Sequence, residues 1–379
     1  MSLSVGIVGL PNVGKSTLFN ALLKRQASFA EASAGQAGLA KVANFPFTTI
    51  EPNIGVVPVP DERLKKLAEV IKISEKLDNL PPEVPATTEF VDIAGLIAGA
   101  HKGEGLGNKF LSHIREVNAI CHVVRNFIDP DIVKEGSVNP KDDLETVETE
   151  LKLADLETLN KQKDPGQTPD KDERKRWDVV VKLKEGVEKG KPAREVELSE
   201  EEARIAKELS LLTSKPVLIV LNVNEKDLTN SVEIEGAFAK AFGVDVDQVV
   251  AICAKTEMEL AELDDADQKQ YLSELGVTES SLERLIKKAF STLNLITFLT
   301  AGVKEVRAWT IKNETRAQDA AGVIHTDFVK NFIAASVVPL NDFIKYNGWK
   351  SAKEKGKVRT EGRDYIVKDG DIIEFRIGT

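Results

Sequence analysis

The sequence is poor in cysteine, with two among 379 residues, at positions 121 and 253. Both lie in apolar surroundings, so we expect no disulfide staples and take a reducing cytoplasm as the compartment that fits. No run of about eighteen apolar residues occurs, so we expect no membrane-spanning helix and no membrane partner. An apolar strand pattern follows the first residues almost at once, so we expect no signal peptide.

The chain also lacks an excess of positive charge, since its formal net charge is −10. This balance argues against a protein that coats nucleic acid over its whole surface, and we expect no DNA partner. A local basic patch remains compatible with it. The length allows two or three domains, each with its own core.

A glycine-rich motif, Gly9-Leu10-Pro11-Asn12-Val13-Gly14-Lys15-Ser16-Thr17, lies near the N-terminus. It fits G-x-x-x-x-G-K-[ST] and is flanked by an apolar strand pattern at Val5–Val8 and a helical pattern that begins at Leu18. An ordinary glycine turn is the alternative, but this context favours a cradle of backbone N–H groups for phosphate. Lys15 would reach the outer phosphates, and the Ser16 hydroxyl would ligate Mg²⁺. The predicted contacts to nucleotide here are Asn12, Val13, Gly14, Lys15, Ser16 and Thr17.

Asp92 follows the strand pattern Thr88–Val91 and begins a second motif, Asp-Ile-Ala-Gly. A carboxylate at a strand end can hold the Mg²⁺ shell, and Gly95 can offer its N–H to the γ-phosphate. A threonine between the two motifs would close on Mg²⁺ only when a γ-phosphate is present, which would make a switch. We choose Thr49 over its neighbour Thr48. The predicted metal ligands are therefore Ser16, Thr49 and Asp92.

The base-recognition element is expected after the strand pattern Val217–Leu221, at Asn222-Val223-Asn224-Glu225. Guanine-specific proteins carry Asn-Lys-x-Asp here, and the aspartate accepts the ring N–H and amino group of guanine. Glu225 is one methylene longer, so readout of guanine should suffer. An alternative register uses Asn224 and Asp227; we favour Asn222 because it directly ends the apolar run. The predicted base contacts are Asn222, Val223 and Glu225, with backbone N–H groups of the loop Cys253-Ala254-Lys255.

The residue that orients the attacking water is not evident. Ras-type enzymes use a glutamine directly after Asp-x-x-Gly, and this chain has Leu96 there. His101, in the glycine-rich stretch 97–107, is a candidate to assist, although a histidine in such a loop is often simply solvated. His122 lies in an apolar run and is interpreted as a core residue. We therefore assign no catalytic side chain.

The pattern of strands and helices predicts an α/β fold in which a nucleotide domain is interrupted. We predict a first part at 1–130, an inserted helical hairpin at 131–214, a second part at 215–296 and a small C-terminal domain at 297–379. Residues 27–42 are predicted to be a loop. In the C-terminal domain we predict a strand pair within 295–310, a helix at about 327–335, and a β-hairpin turning at Asp369-Gly370.

With these motifs in place, the chain resembles the YchF branch of the Obg-like translation-factor P-loop NTPases over essentially its whole length. The resemblance rests on 9–17, 44–53, 92–107 with its Gly-Glu-Gly-Leu-Gly, 222–225 and the C-terminal segment. It implies a G domain interrupted by a coiled-coil arm, and a C-terminal TGS domain of β-grasp type. It also implies ATP preferred over GTP, association with ribosomes, Thr49 as a ligand of Mg²⁺, and contact between the base and the Val223 backbone. The chain departs from many relatives in two ways: residues 126–134 hold no histidine, and the loop before Asn44 is longer.

The favoured function is a slow ATPase switch that docks on the ribosome, through the large subunit or the whole particle. The alternatives are an Obg-type GTPase of ribosome assembly and a nucleotide-regulated adaptor with negligible hydrolysis. Asn12 suggests activation by K⁺, although it could equally serve only to stabilise the turn. A basic segment with two interleaved aromatic residues, Tyr346 and Trp349, suggests contact with ribosomal RNA. Its cations are Lys345, Lys350, Lys353, Lys355, Lys357, Arg359 and Arg363.

Overall fold

The computed structural model describes residues 3–36, 54–93, 106–127, 139–167 and 169–378. Helices and strands alternate through the first three quarters of the chain. In order they are β1 Ser4–Val8, α1 Lys15–Gln36, β2 Ile54–Pro58, α2 Glu62–Ser74, β3 Glu83–Val84, β4 Thr87–Asp92, α3 Leu106–Glu116, β5 Ala119–Arg125, α4 Pro140–Asn160, α5 Lys171–Glu188, α6 Glu200–Glu208, β6 Val217–Asn222, α7 Ser231–Phe242, β7 Val249–Ile252, α8 Ala254–Leu260, α9 Asp265–Glu274 and α10 Ser281–Thr292.

Strands predominate in the last quarter of the chain. The elements there are β8 Leu295–Ala301, β9 Val306–Lys312, α11 Ala317–Ile324, α12 Thr326–Lys330, β10 Phe332–Pro339, α13 Leu340–Lys345, α14 Trp349–Glu354, β11 Arg359–Glu361 and β12 Asp371–Ile377. None of the helices in the described parts of the chain is long and apolar enough to cross a membrane.

The chain divides into two compact units. Of the described residues, the first unit holds 3–24, 54–55 and those within 89–292, and the second holds 25–36, 56–88 and 293–378. The predicted division gave all of 1–130 to the nucleotide domain. The structure instead groups 56–88 with the C-terminal residues, because α2 packs on β8, β9 and α13, and β3 pairs with β9.

The first sheet has the strand order β2-β4-β1-β5-β6-β7. The pairs β4–β1, β1–β5, β5–β6 and β6–β7 are parallel. All seven residues of β5 are buried, as expected for a central strand of a parallel sheet covered on both faces. The carboxyl ends of β1, β4 and β6 therefore lie at one edge, where open α/β sheets bind ligands.

The predicted helical hairpin is present as α4 and α5, which follow one another in the chain and pack against each other. Lys152 Nζ of α4 donates to the Gly190 carbonyl, just beyond α5, at 3.0 Å. Val147, Leu151 and Ala154 of α4 are buried and recur at helical spacing. Ser199 forms a capping box with Glu202 at the start of α6. Asp155, also on α4, accepts three hydrogen bonds from Leu212 and Thr213, which fasten α4 to the turn before β6.

The second sheet has the order β11-β10-β12-β8-β9-β3. The predicted strand pair within 295–310 is confirmed as the antiparallel pair β8 and β9. The helix predicted at 327–335 is wrong beyond Lys330, because Phe332–Pro339 forms β10 between β11 and β12. This segment contains the β-branched pair Val337 and Val338, and both are buried in the sheet.

The hairpin predicted around Asp369-Gly370 is also wrong. Gly370 does turn the chain with a φ of 77°, but the following strand, β12, pairs with β10 on one side and β8 on the other. No edge of β12 is left for residues 365–367, and Ile366 instead forms an isolated bridge with Arg316. Of the predicted loop at 27–42, residues 27–36 are instead helical and belong to α1, while residues 37–42 lie outside the described residues.

Candidate nucleotide-binding site

The glycine-rich segment Gly9–Gly14, called the phosphate loop below, joins β1 to α1, as its sequence predicts. Its backbone turns through left-handed conformations at Asn12 (φ 61°) and Gly14 (φ 100°). Gly14 is required for a second reason, because a Cβ built on it would lie 2.2 Å from Asn222 Nδ2. A Cβ on Gly9 would lie 2.4 Å from the Val123 carbonyl oxygen. Both glycines are therefore set by close approach of neighbouring groups as well as by backbone conformation.

Lys15 is nearly buried at the start of α1, with 9% of its surface exposed. Its Nζ donates to the Leu10 carbonyl of the same loop at 2.7 Å, so the ammonium is held over the loop with two further N–H groups. Burial lowers the pKa of Lys15, and the negative charge of Asp92 opposes that shift. The effect is reciprocal, since burial raises the pKa of Asp92 while Lys15 lowers it. Lys15 and Asp92 are therefore near enough for the charge of each to shift the pKa of the other.

Asp92 ends β4 and lies opposite Ile7 of β1 in the sheet register, beside the strand that leads into the phosphate loop. Ser16 is exposed in the first turn of α1. A hydroxyl and a carboxylate are ligands that suit Mg²⁺, which keeps several waters and takes phosphate oxygens for the rest of its shell. Within the described residues, no group of three or more His, Cys, Asp or Glu could hold a metal ion alone.

Asn222 connects the phosphate loop to the loop after β7. Its Nδ2 donates to the Val13 carbonyl at 2.9 Å, and its Oδ1 accepts from the Ala254 N–H at 3.1 Å. The side chain is 5% exposed. Asn224, the start of the alternative register, is partly exposed and makes no side-chain cap bond to the 3-10 helix that follows it. The geometry therefore favours the register that begins at Asn222.

Two predicted base contacts have their N–H groups already engaged. The Val223 N–H donates to the Ile252 carbonyl at 2.8 Å, and the Ala254 N–H is the one that Asn222 binds. The Val223 side chain is 2% exposed and belongs to the core between α7 and the sheet. Val223 does not take the place of a lysine that lies along the base, and Cys253, 6% exposed, caps α8.

Glu225 is exposed at the start of the 3-10 helix Glu225–Asn230. Its Oε2 accepts hydrogen bonds from Thr256 Oγ1 at 3.0 Å and from Tyr271 OH at 3.2 Å. The sequence did not indicate either partner, because they lie 31 and 46 residues further along the chain. The contacts of Glu225 with Thr256 and Tyr271 arise from the packing of α8 and α9, so the spacing of residues in the sequence does not predict them.

Several predicted residues lie outside the described residues: Thr48, Thr49, Gly95, Leu96 and His101. Their roles stay predictions. His122, interpreted as a core residue, is buried on β5 opposite Val8. Burial first, and then the charge of Lys15, lower the pKa of His122 to about 3. Its Nε2 has no hydrogen-bond partner among the described residues.

The basic segment of the second unit covers α13, α14 and β11, and all seven of its cations are exposed. Arg359 bonds the Tyr365 hydroxyl and pairs with Glu361 at 3.2 Å. No ion pair involves its five lysines among the described residues. Trp349 is not free to stack on a base, because its Nε1 donates to the Ala301 carbonyl at 3.3 Å and its ring packs edge-on against Phe343.

The chain matches known protein families, curated relatives and a solved structure. Residues 4–161 match a family described as 50S ribosome-binding GTPase. Residues 295–378 match the YchF-GTPase C-terminal family, described as a protein of unknown function. The chain is 49% identical over 385 residues to the ribosome-binding ATPase YchF of Bacillus subtilis and 48% identical over 383 residues to that of Escherichia coli O157:H7, with 99% of each chain covered. It matches the structure of the Schizosaccharomyces pombe YchF GTPase with a TM-score of 0.81 and 34% identity, over 99% of this chain and 98% of that one.

Proposed function

Because the chain belongs to the YchF family, we propose that it is a ribosome-associated ATPase switch that binds ATP with Mg²⁺ and hydrolyses it slowly. The observation that carries this proposal is the Asn222 bridge, which holds the phosphate loop and the loop after β7 in one site. The bridge brings together a triphosphate cradle and a base-recognition element that lacks the aspartate of guanine-specific proteins. Relatives named ribosome-binding ATPase support the same assignment.

The phosphate loop binds the triphosphate through its backbone N–H groups and the Lys15 ammonium. The Lys15 ammonium has three donors, one of which binds the Leu10 carbonyl. It can therefore donate to phosphate oxygens either in place of that bond or in addition to it. Ser16 and Asp92, with Thr49, would hold Mg²⁺. When bound, the ion supplies positive charge to the β- and γ-phosphates. Gly95 would offer its N–H to the γ-phosphate, and His101 stays a candidate to assist the water.

Base selection rests on Glu225. Guanine needs a carboxylate that accepts from its ring N–H and amino group, whereas this carboxylate is already bound by two hydroxyl groups. Glu225→Asp should therefore raise the affinity for GTP relative to ATP. A companion change of Val223→Lys, which the Asn-Lys-x-Asp pattern suggests, is unsuitable. It would bury an ammonium at a position that is 2% exposed.

The antiparallel helices α4 and α5 form, in this proposal, a coiled-coil arm inserted into the G domain. The sheet around β8 to β12, with α11 packed on it, forms a TGS-type β-grasp domain. Helix α2 and strand β3 pack on this domain, although both lie within the stretch 1–130 that was predicted as the first part of the G domain. A ribosome-bound function would locate the protein in the cytoplasm.

The ribosome contact is assigned to the basic segment, and the arm is the contrasting surface. Three cations of α5 are neutralised by carboxylates of α6: Arg176 pairs with Glu208 at 2.7 Å, Lys182 with Glu202 at 3.0 Å, and Lys175 with Glu201. The five exposed lysines of the basic segment are not neutralised in this way. Unpaired cations bind RNA phosphates and release counterions, so affinity falls as salt rises.

Competition of ATP and GTP for the site, measured with Mg²⁺, tests the nucleotide assignment. Tighter binding of ATP is expected, and tighter binding of GTP would favour an Obg-type GTPase. Single-turnover hydrolysis with and without ribosomes then separates the ATPase from an adaptor. Slow hydrolysis is expected, and its absence under both conditions would leave the adaptor.

Ribosome co-sedimentation at increasing salt tests the contact surface. Changing Lys350, Lys353 and Lys355 to Glu should weaken binding and reduce its dependence on salt. The matched control changes Lys161, Lys163 and Lys191 to Glu, because these arm residues are exposed and carry the same charge. A larger loss in the control would move the contact to the arm. Arg359 is left unchanged, since it also holds the Tyr365 hydroxyl.

A further inference from the structure

The carboxylate of Glu225 is held in place by two hydroxyl groups from separate helices. Thr256 lies on α8, is 1% exposed, and donates from Oγ1 to Glu225 Oε2 at 3.0 Å. Tyr271 lies on α9 and donates to the same oxygen at 3.2 Å. The other oxygen, Oε1, has no partner among the described residues. An exposed glutamate would ordinarily sample many rotamers, so two donors on one oxygen restrict it strongly.

Tyr271 stands between two acidic side chains. Its hydroxyl also lies 3.3 Å from Glu259 Oε2, and a single proton can be given to only one of the two carboxylates at a time. Desolvation first, and then the negative charges of Glu225 and Glu259, raise the pKa of Tyr271 to about 12. The hydroxyl therefore keeps its proton at neutral pH and remains a donor.

The two purines differ in what they require at their pairing edge. Guanine presents donors, the N1–H and the amino group, and needs a carboxylate free to accept them. Adenine presents an acceptor at N1, which a free carboxylate repels. A carboxylate with one oxygen held by two protein hydroxyls favours adenine on both counts, because guanine must compete for that oxygen to bind both of its donors, and adenine meets less unpaired negative charge.

We propose that Thr256 and Tyr271 are positioning residues for purine selection, which hold the Glu225 carboxylate against α8 and α9 and so withhold it from guanine. This inference rests on the proposed preference for ATP. It adds that the preference depends on two residues outside the motif that contacts the base. The length of the glutamate side chain alone does not account for it.

The test measures the dissociation constants of fluorescently labelled ATP and GTP with Mg²⁺ for the full chain, three single variants and one double variant. Tyr271→Phe removes one donor and keeps the ring. Thr256→Val removes the other and keeps the shape, while Thr256→Ser keeps the donor and is the matched control. The double variant, which combines Tyr271→Phe with Thr256→Val, should shift the ratio of the two constants toward GTP by about tenfold or more, since each of the two bonds to a charged group is worth at least about that factor. The Thr256→Ser variant should keep the wild-type ratio.

The outcomes separate this inference from the function on which it rests. The wild-type titration alone decides base preference: tighter GTP binding would overturn the ATP assignment and the inference together. If the wild type prefers ATP and the double variant keeps its ratio within about twofold, the inference fails and the ATP assignment stands. Equal weakening of both nucleotides would also overturn it, because that result indicates a structural role. Thermal unfolding of each variant confirms that the chain is folded.

Discussion

Replacing Asn222 with alanine should weaken nucleotide binding by freeing the phosphate loop from the loop after β7. The substitution removes two hydrogen bonds and leaves the Val13 carbonyl and the Ala254 N–H without their partner. Val13 is 0% and Ala254 3% exposed, so water replaces the lost bonds poorly. A buried group left without a partner costs about 1–3 kcal/mol, which gives about 2–6 kcal/mol for the pair before the structure relaxes.

Part of that cost should appear in nucleotide affinity, because Val13 and Gly14 form the cradle itself. If about half of it is expressed there, about 1–3 kcal/mol, ATP binding weakens by about 5- to 150-fold. The assay is titration with fluorescently labelled ATP, together with thermal unfolding with and without nucleotide. Asn224→Ala is the matched control, and it should change affinity by no more than about twofold, because Asn224 makes no cap bond.

Two results would refute this reasoning. An Asn222→Ala protein with wild-type affinity would show that the bridge does not hold the cradle. A larger loss in Asn224→Ala would transfer base recognition to the register that ends at Asp227. Both variants are titrated with the same ligand. The endpoint of each titration gives the fraction of active protein, and the dissociation constants are corrected for it.

Three further predictions concern the same site. Lys15→Ala and Ser16→Ala should each remove most ATP affinity with little change in thermal stability, since these groups act on phosphate and metal; tight ATP binding to both variants would disprove the phosphate-loop assignment. Lowering the pH below about 6.5 should destabilise the protein, because the unfolded chain protonates His122 there while its folded pKa of about 3 keeps it neutral. The contribution is up to about 1.4 kcal/mol per pH unit, and His122→Leu should show a shallower slope in urea unfolding at pH 7, 6 and 5. ATP hydrolysis should be faster in K⁺ than in Na⁺ at matched ionic strength, and Asn12→Ala should abolish the difference; equal wild-type rates would leave Asn12 a turn residue.

The amino-acid sequence by itself determined the elements that local pattern encodes. Strand β1, the phosphate loop and the start of α1 follow from an apolar run, a glycine motif and a helical stripe that adjoin one another near the N-terminus. The capping box at Ser199 and the pair β8 and β9 were predictable for the same reason. Each depends on neighbours in sequence, so the physical cause is visible in the sequence.

Tertiary structure decided which strands pair. The Asp369-Gly370 turn looked like a hairpin, yet Gly370 N–H donates to the Thr297 carbonyl, and Asp369 accepts from the Thr297 N–H and from Arg63. The turn is thus fixed by β8 and α2, which the local pattern does not contain. Phe332–Pro339 became a strand because β11 and β12 were available on its two sides.

The candidate site shows the same division between sequence and structure. The motifs identified Lys15, Asp92 and Asn222 because the spacing of each motif reflects its chemistry. Only the packed structure showed that Asn222 binds both Val13 and Ala254, that Val223 is buried, and that Thr256 and Tyr271 hold Glu225. These contacts join residues far apart in the chain, and they form only when the carboxyl ends of parallel strands and the helices that follow them meet at one edge of the sheet.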